Sequence, residues 1–214
     1  VASGAAYGPL RDWAASIGKT HETITEITVP MEVVGPSLEE LFFDCYALTS
    51  VPQMDTSQVR YMYAMFYNCQ ALTTIPALDT GQVVNMYVAF SNCRALTTIP
   101  ELNTSSVKDM GYAFEHCTSL VTVPALNTSQ VTNPGGMFYN CSSLTAVTLP
   151  GMGNGVVYEQ TLDMRATKLN AAAANALMQS LGTPAPGGTL NLPTTATGAN
   201  TTIAANKNWT VSVG

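Results

Sequence analysis

The chain has 214 residues, of which only 10% are charged, against about 25% in an ordinary soluble domain. Eight basic and fourteen acidic residues leave a net charge of −6, with no Lys/Arg cluster. Nucleic acid is thereby excluded as an expected partner, because counterion release needs such a cluster. No run of about 18 apolar residues occurs, so no membrane insertion is expected either.

In chain order, the opening "VASGAAYGPL" reads as the start of a processed chain or as a piece of a longer one. Residues 1–23, with a short helix expected around Trp13, form an N-terminal cap or linker. From residue 24 a repeat takes over and runs to residue 150. Its first unit, "ITEITVPMEVVGPSLEELFFDC", is degenerate: it keeps a strand ending at Val29-Pro30 but reaches the next such proline, Pro52, after 22 residues. The regular units then follow a 24-residue period set by Cys45, Cys69, Cys93, Cys117 and Cys141, which are all the cysteines of the chain. Phe stands three positions before each cysteine and Leu three positions after it, and a β-branched residue follows three further on. A fixed period of this size marks a stacked array, because one short unit cannot bury its apolar face alone.

Within a unit, "LTTIP" suits a short strand ended by proline. Asp55, Asp79, Asn103 and Asn127 come next, each followed by Thr and a small residue, an N-cap pattern for a helical turn. Val59, Met62, Phe66 and Cys69 fall on one helical face. The spacing therefore predicts a strand, a turn and a short helical or 3-10 segment per unit. Parallel units stack about 4.8 Å apart, which makes the cysteines an inward ladder whose parallel Cβ vectors do not suit disulfides. They read as reduced core thiols; a metal ladder lacks an accompanying His or carboxylate column. In the fifth unit Pro134-Gly135-Gly136 replaces the Met column, and a bulge is expected there. Residues 151–214 then read as larger capping units, with an Ala-rich helix over 168–181, a strand at "GTLNLP" and a final strand holding Trp209, Val211 and Val213.

The phrases "MFYNCQALTTIPALDTGQVVNM", "AFEHCTSLVTVPALNTSQVTN" and "MFYNCSSLTAVTLP" resemble the leucine-rich repeats of BspA type. That family includes variants common in bacterial surface proteins and in bacteriophage tail or fibre proteins. The likeness is close over residues 24–150, and the segment after it resembles endings appended to such repeat proteins. It implies an α/β leucine-rich-repeat solenoid of about eight or nine units, a parallel sheet on one side and short helical or 3-10 segments on the other. It also implies adhesion or recognition outside the cell, on a cell surface or on a virion, and it implies no reaction.

No nucleotide, zinc or hydrolase motif is present, so no catalysis, cofactor or metal is expected. His116 occupies the position held by Asp44, Asn68, Asn92 and Asn140 in the other units, and His21 lies in a polar stretch beside Glu22. Candidate binding residues are therefore sought in rows. Strand alternation favours an outward hydroxyl row of Ser50, Thr74, Thr98 and Thr122, which is either a solvated strand face or a contact for a cell-surface glycan or protein. On the opposite side Tyr63 and Tyr87 belong to a tyrosine-rich surface that serves either packing between units or recognition. Two other uses of the same rows stay open: assembly with other subunits of a virion or filament, and matching of an ice lattice.

Overall fold

The 24-residue period reappears as backbone bonding. The computed structural model describes residues 20–27, 31, 33, 35–154, 160–184 and 187–214. Expectations that fall on residues 1–19 and 28–30, including the helix around Trp13 and the strand ending at Pro30, lie outside the described residues. Parallel bridges join Ser37 to Tyr61, Tyr61 to Asn85, Asn85 to Asp109 and Asp109 to Asn133, one unit to the next. A second line joins Thr98 to Thr122 and Thr122 to Ala146, and Glu26 to Ser50.

Two expectations about each unit need correction. The "LTTIP" segments contribute isolated bridges rather than continuous strands, so over residues 35–154 the described residues show no extended sheet. The segment expected to be helical is a chain of tight turns. Its apolar face was read correctly, since Val59, Met62, Phe66 and Cys69 are all fully buried. The backbone beneath is different because two residues per unit, four apart, take the left-handed conformation: Ala64 and Asn68, Val88 and Asn92, Tyr112 and His116, Gly136 and Asn140. A right-handed helix cannot continue through such residues. Alternate amides instead turn outward to the next unit. Met62, Ala64, Phe66 and Asn68 donate to the carbonyls of Asn85, Tyr87, Ala89 and Ser91, at 2.8 to 3.0 Å. The amides between them close turns, as Met65 does onto Met62 and Cys69 onto Phe66.

The would-be N-caps do the related job of capping turns. Oδ1 of Asp55, Asp79, Asn103 and Asn127 accepts from the amide two residues on, at 3.0 to 3.2 Å. The threonine that follows is buried in every case and its hydroxyl donates to a carbonyl of the next unit: Thr56 to Asp79, Thr80 to Asn103, Thr104 to Asn127 and Thr128 to Pro150. Each buried hydroxyl thereby has an acceptor, and the bonds tie the corners of successive units together.

Phe42, Phe66, Phe90, Phe114 and Phe138 fill the centre, their rings stacked at 5.1 to 5.5 Å between centroids. The cysteine and leucine columns lie beside them, fully buried. No bulge appears at Pro134-Gly135-Gly136. Pro134 lies buried in the Met column, and Met110, Tyr112 and Phe114 donate to Asn133, Gly135 and Met137 without a break. Gly136 is required by its neighbour rather than by a bend. Its φ is 62°, and a Cβ there would lie 2.3 Å from the ring of Tyr112.

The last part is a three-stranded parallel sheet, β1 (Gln160–Asp163), β2 (Gly188–Leu192) and β3 (Trp209–Val213), in that order. Helix α1 (Ala171–Ser180) connects β1 to β2, and its start is set by Asn170, whose side chain accepts from the Ala173 amide at 3.0 Å. Its buried residues Ala174, Leu177 and Met178 face the same core as Leu169 and Leu181. A short helix α2 (Thr202–Ala205) precedes β3. Lys207 closes the end of α1 by donating its Nζ to the carbonyls of Gln179 and Leu181.

Candidate functional site

The thiols illustrate how a repeated reactive group can be made inert. Sγ of Cys69, Cys93, Cys117 and Cys141 donates to the carbonyl of Phe42, Phe66, Phe90 and Phe114 in the preceding unit, at 3.0 to 3.2 Å. All five are free and buried. Burial pushes the pKa of Cys45 and Cys141 up to about 12, and those of Cys69, Cys93 and Cys117 well above the ordinary thiol value. The ladder is thus a packing and hydrogen-bonding device. Among the described residues no group of three or more His, Cys, Asp or Glu is placed to hold a metal ion.

His116 sits in the left-handed column with φ 57°, between Asn92 at 63° and Asn140 at 59°. Asn, Asp and His are the non-glycine residues that tolerate this conformation best. Its Nδ1 meets Nδ2 of Asn140 at 3.3 Å, as Oδ1 of Asp44 accepts from Nδ2 of Asn68 at 2.8 Å. His116 therefore substitutes for an amide or carboxylate in a side-chain ladder, with Glu115 beside it at 3.9 Å and the Tyr139 ring edge-on.

The hydroxyl row departs from the strand alternation that was expected of it. Thr74, Thr98 and Thr122 are exposed and Ser50 is half-buried. The position before it in each unit, Thr49, Thr73, Thr97, Val121 and Thr145, is exposed as well, so two ranks face outward instead of one. The chain bends at this point rather than running as a pleated strand, and alternation lapses. The ranks differ in their hydrogen bonding. Thr49, Thr73 and Thr145 donate their hydroxyls to carbonyls of Thr25, Thr49 and Val121 in the preceding unit. No side-chain hydrogen bond engages Ser50, Thr74 or Thr122 among the described residues, and Thr98 makes one contact of 3.4 Å to the Ile99 carbonyl. Glu101 and Asp79 line an open groove of about 500 Å³ with Asn103, Pro124 and Ala125.

On the turn side Tyr63 and Tyr87 stack face to face at 5.9 Å, and Tyr112 meets Tyr87 edge-on at 6.0 Å. Both Tyr63 and Tyr87 are half-buried. Burial, assisted by Tyr112 and Asp109, raises the Tyr87 hydroxyl's pKa. The more exposed rings are Tyr46, Tyr61, Tyr112 and Tyr139. At the junction with the sheet Arg165 grips Asp163 through Nε and Nη2, which holds that carboxyl below its ordinary value. Sequence reasoning missed this pair and the buried threonine row, although the latter was visible as Thr at a fixed place in four units.

Short parallel units joined by the same bonds at each step, with exposed positions repeating as rows, define a repeat protein. Residues 36–149 match the family described as "Mycoplasma protein of unknown function, DUF285", more than half of the chain, and the chain belongs to that family. The match covers the stacked units and supports the leucine-rich-repeat kinship of BspA type. Among solved structures the chain is similar to a Leucine Rich Repeat protein of T. pallidum, at 23% identity with a TM-score of 0.46. The likeness covers 63% of this chain and 63% of that one. No curated protein matches. Among the described residues no helix is long and apolar enough to cross a membrane.

Proposed function

We propose that this chain is a leucine-rich-repeat solenoid serving as a non-catalytic recognition module, part of a bacterial surface protein or a phage fibre. In this reading it acts outside the cell, needs no cofactor and binds a cell-surface glycan or protein. The observation that carries it is the row of half-buried Ser50 and exposed Thr74, Thr98 and Thr122, which recur once per unit and whose hydroxyls are largely free of internal partners. A backbone already held by bonds between units loses little entropy when a partner binds the side chains it presents. The absence of a basic cluster favours a neutral partner over nucleic acid.

Labelled protein incubated with a panel of bacterial cells and their isolated surface glycans tests the proposal, beside a variant carrying Thr74→Lys, Thr98→Lys and Thr122→Lys. Saturable binding that the variant loses while it stays folded supports an adhesin acting through this face. Binding that survives the triple change moves the contact elsewhere. A second reading, a structural subunit of a virion or filament, is favoured by the exposed rings of Tyr46, Tyr61, Tyr112 and Tyr139. Assembly seen by light scattering, with no cell or glycan bound, selects that reading.

A further inference from the structure

The corner after each proline carries chemistry that the recognition row leaves unused. Asn103-Thr104-Ser105 and Asn127-Thr128-Ser129 are acceptor sequences for asparagine-linked glycans, as are Asn140-Cys141-Ser142, Asn200-Thr201-Thr202 and Asn208-Trp209-Thr210. We infer that Asn103 is a glycan attachment site, taking an oligosaccharide from a polyprenyl-diphosphate carrier.

The geometry separates it from Asn140, Asn200 and Asn208, and the residues around the turn separate it from Asn127. Oδ1 of Asn103 accepts from both the amide of Ser105 at 3.2 Å and its hydroxyl at 2.7 Å. The acceptor hydroxyl is thus already on the amide oxygen, and Nδ2 is left as the free atom of the group. Asn103 is exposed, and Nδ2 has no hydrogen-bond partner among the described residues. It rests over Gly81 of the preceding unit, 3.3 Å from where a Cβ would be, so residue 81 sets no side chain against it. The groove it shares with Glu101 and Asp79 opens to solvent. Glu101, exposed two residues before the asparagine, gives a cationic enzyme surface a charge to hold.

The alternatives lack one or more of these features. Nδ2 of Asn140 is held against His116, and the residue inside that acceptor sequence, Cys141, is fully buried. Nδ2 of Asn208 donates to the Pro184 carbonyl at 2.8 Å, and Trp209 is 3% exposed. Asn200 is exposed, but Thr202 opens helix α2 and no hydrogen bond joins its hydroxyl to the Asn200 oxygen. Asn127 repeats the turn, with Ser129 on its Oδ1 at 2.7 Å, but has Ala125 in place of Glu101 and Ser105 in place of Gly81. Asp55 and Asp79 hold the same corner in the two preceding units and have no amide to offer. In the transfer, Nδ2 of Asn103 forms a bond to the anomeric carbon of the first sugar. The bond from that carbon to the diphosphate oxygen breaks, the polyprenyl diphosphate leaves with the electron pair, and the amide gives up one proton to a base of the transferase.

The test uses the folded full chain, a polyprenyl-diphosphate oligosaccharide and a single-subunit oligosaccharyltransferase chosen because it glycosylates the peptide of residues 99–107. Intact mass should rise by one oligosaccharide, and peptide mapping should place it on Asn103, with Asn127 as the minor site. Asn103→Gln and Ser105→Ala should each abolish the main product. Asn103→Asp keeps the turn acceptor, so its loss of product with an unchanged circular dichroism spectrum shows that the amide and not the fold was removed. A folded chain left unmodified, a glycan found first on Asn140 or Asn208, or a yield unaffected by Asn103→Gln would overturn the assignment.

Discussion

The five buried thiols make stability fall steeply with alkali. Below about pH 8.5, the ordinary thiol value, folded and unfolded chains hold the same protons on these groups. Above it the unfolded chain sheds protons that the folded chain keeps, because the folded values lie at about 12 for Cys45 and Cys141 and well above normal for the other three. The unfolded state then binds fewer protons, so the free energy of unfolding decreases as pH rises. At pH 10 Cys45 and Cys141, with folded values of about 12, each favour unfolding by about 2 kcal/mol, which is 1.5 pH units at about 1.4 kcal/mol each. These two alone are a large fraction of the whole stability of a typical domain, about 5 to 15 kcal/mol, and the other three act in the same direction. Urea unfolding followed by circular dichroism between pH 7.5 and 10.5, in reductant, should show the free energy of unfolding falling continuously above about pH 8.5. Cys141→Ala should make that slope shallower. Stability at pH 10 within about 1 kcal/mol of that at pH 8 would refute the reasoning, since thiols that ionise in place cannot be sealed in the core.

Three further outcomes follow from the packing. Gly136→Ala should cost about 2 to 3 kcal/mol, from the left-handed backbone and from the Tyr112 ring losing its place against Tyr87; the cost should shrink by about 1 kcal/mol in a Tyr112→Ala background, as a double-mutant cycle of unfolding free energies would show. Leu96→Ala, in the fully buried leucine column, should cost about 2 to 5 kcal/mol, while Thr98→Ala on the exposed row should leave the melting temperature almost unchanged; equal shifts would contradict the register. His116→Asn should be neutral for stability and His116→Val should cost about 1 to 2 kcal/mol, because the column demands a residue at home in the left-handed region; chemical denaturation of the two variants checks it.

How far the fold was legible depended on whether a residue's role was tied to its chemistry. Burial left clear traces: Phe, Cys, Leu and the β-branched residue each recur at fixed places, and all but the half-buried Val51 fall below one tenth exposure. Backbone conformation left fewer. The apolar spacing of Val59, Met62, Phe66 and Cys69 suits a helix and a series of turns equally well, and only the second left-handed column, Asp44 to Asn140, has the residue types that hint at turns. The first holds Ala64, Val88 and Tyr112, which carry no such signal. Pro134-Gly135-Gly136 misled for a related reason, because proline and glycine mark both broken order and a tight fit. Here the glycine makes room for a ring one unit back, a contact that local sequence does not display. Of the candidate rows, Thr74, Thr98 and Thr122 were expected outside from strand alternation and are exposed, although the chain bends there and exposes Thr73 and Thr97 too, whereas the free amide of Asn103 required knowing what lay under it.

The bonds that join one unit to the next are nearly interchangeable. The amides of Met62, Met86 and Met110 meet Asn85, Asp109 and Asn133, and Thr56, Thr80 and Thr104 reach the same carbonyl one corner along. A duplicated block of 24 residues inserted between the second and fourth units would find its donors and acceptors already waiting on both sides. Pro134 has no amide to pass onward, so the series of forward donors at that position stops in the fifth unit. A whole unit gained or lost in the middle of the array therefore leaves each of these bonds with a partner. The length of the exposed face can change by recombination while both ends are inherited intact.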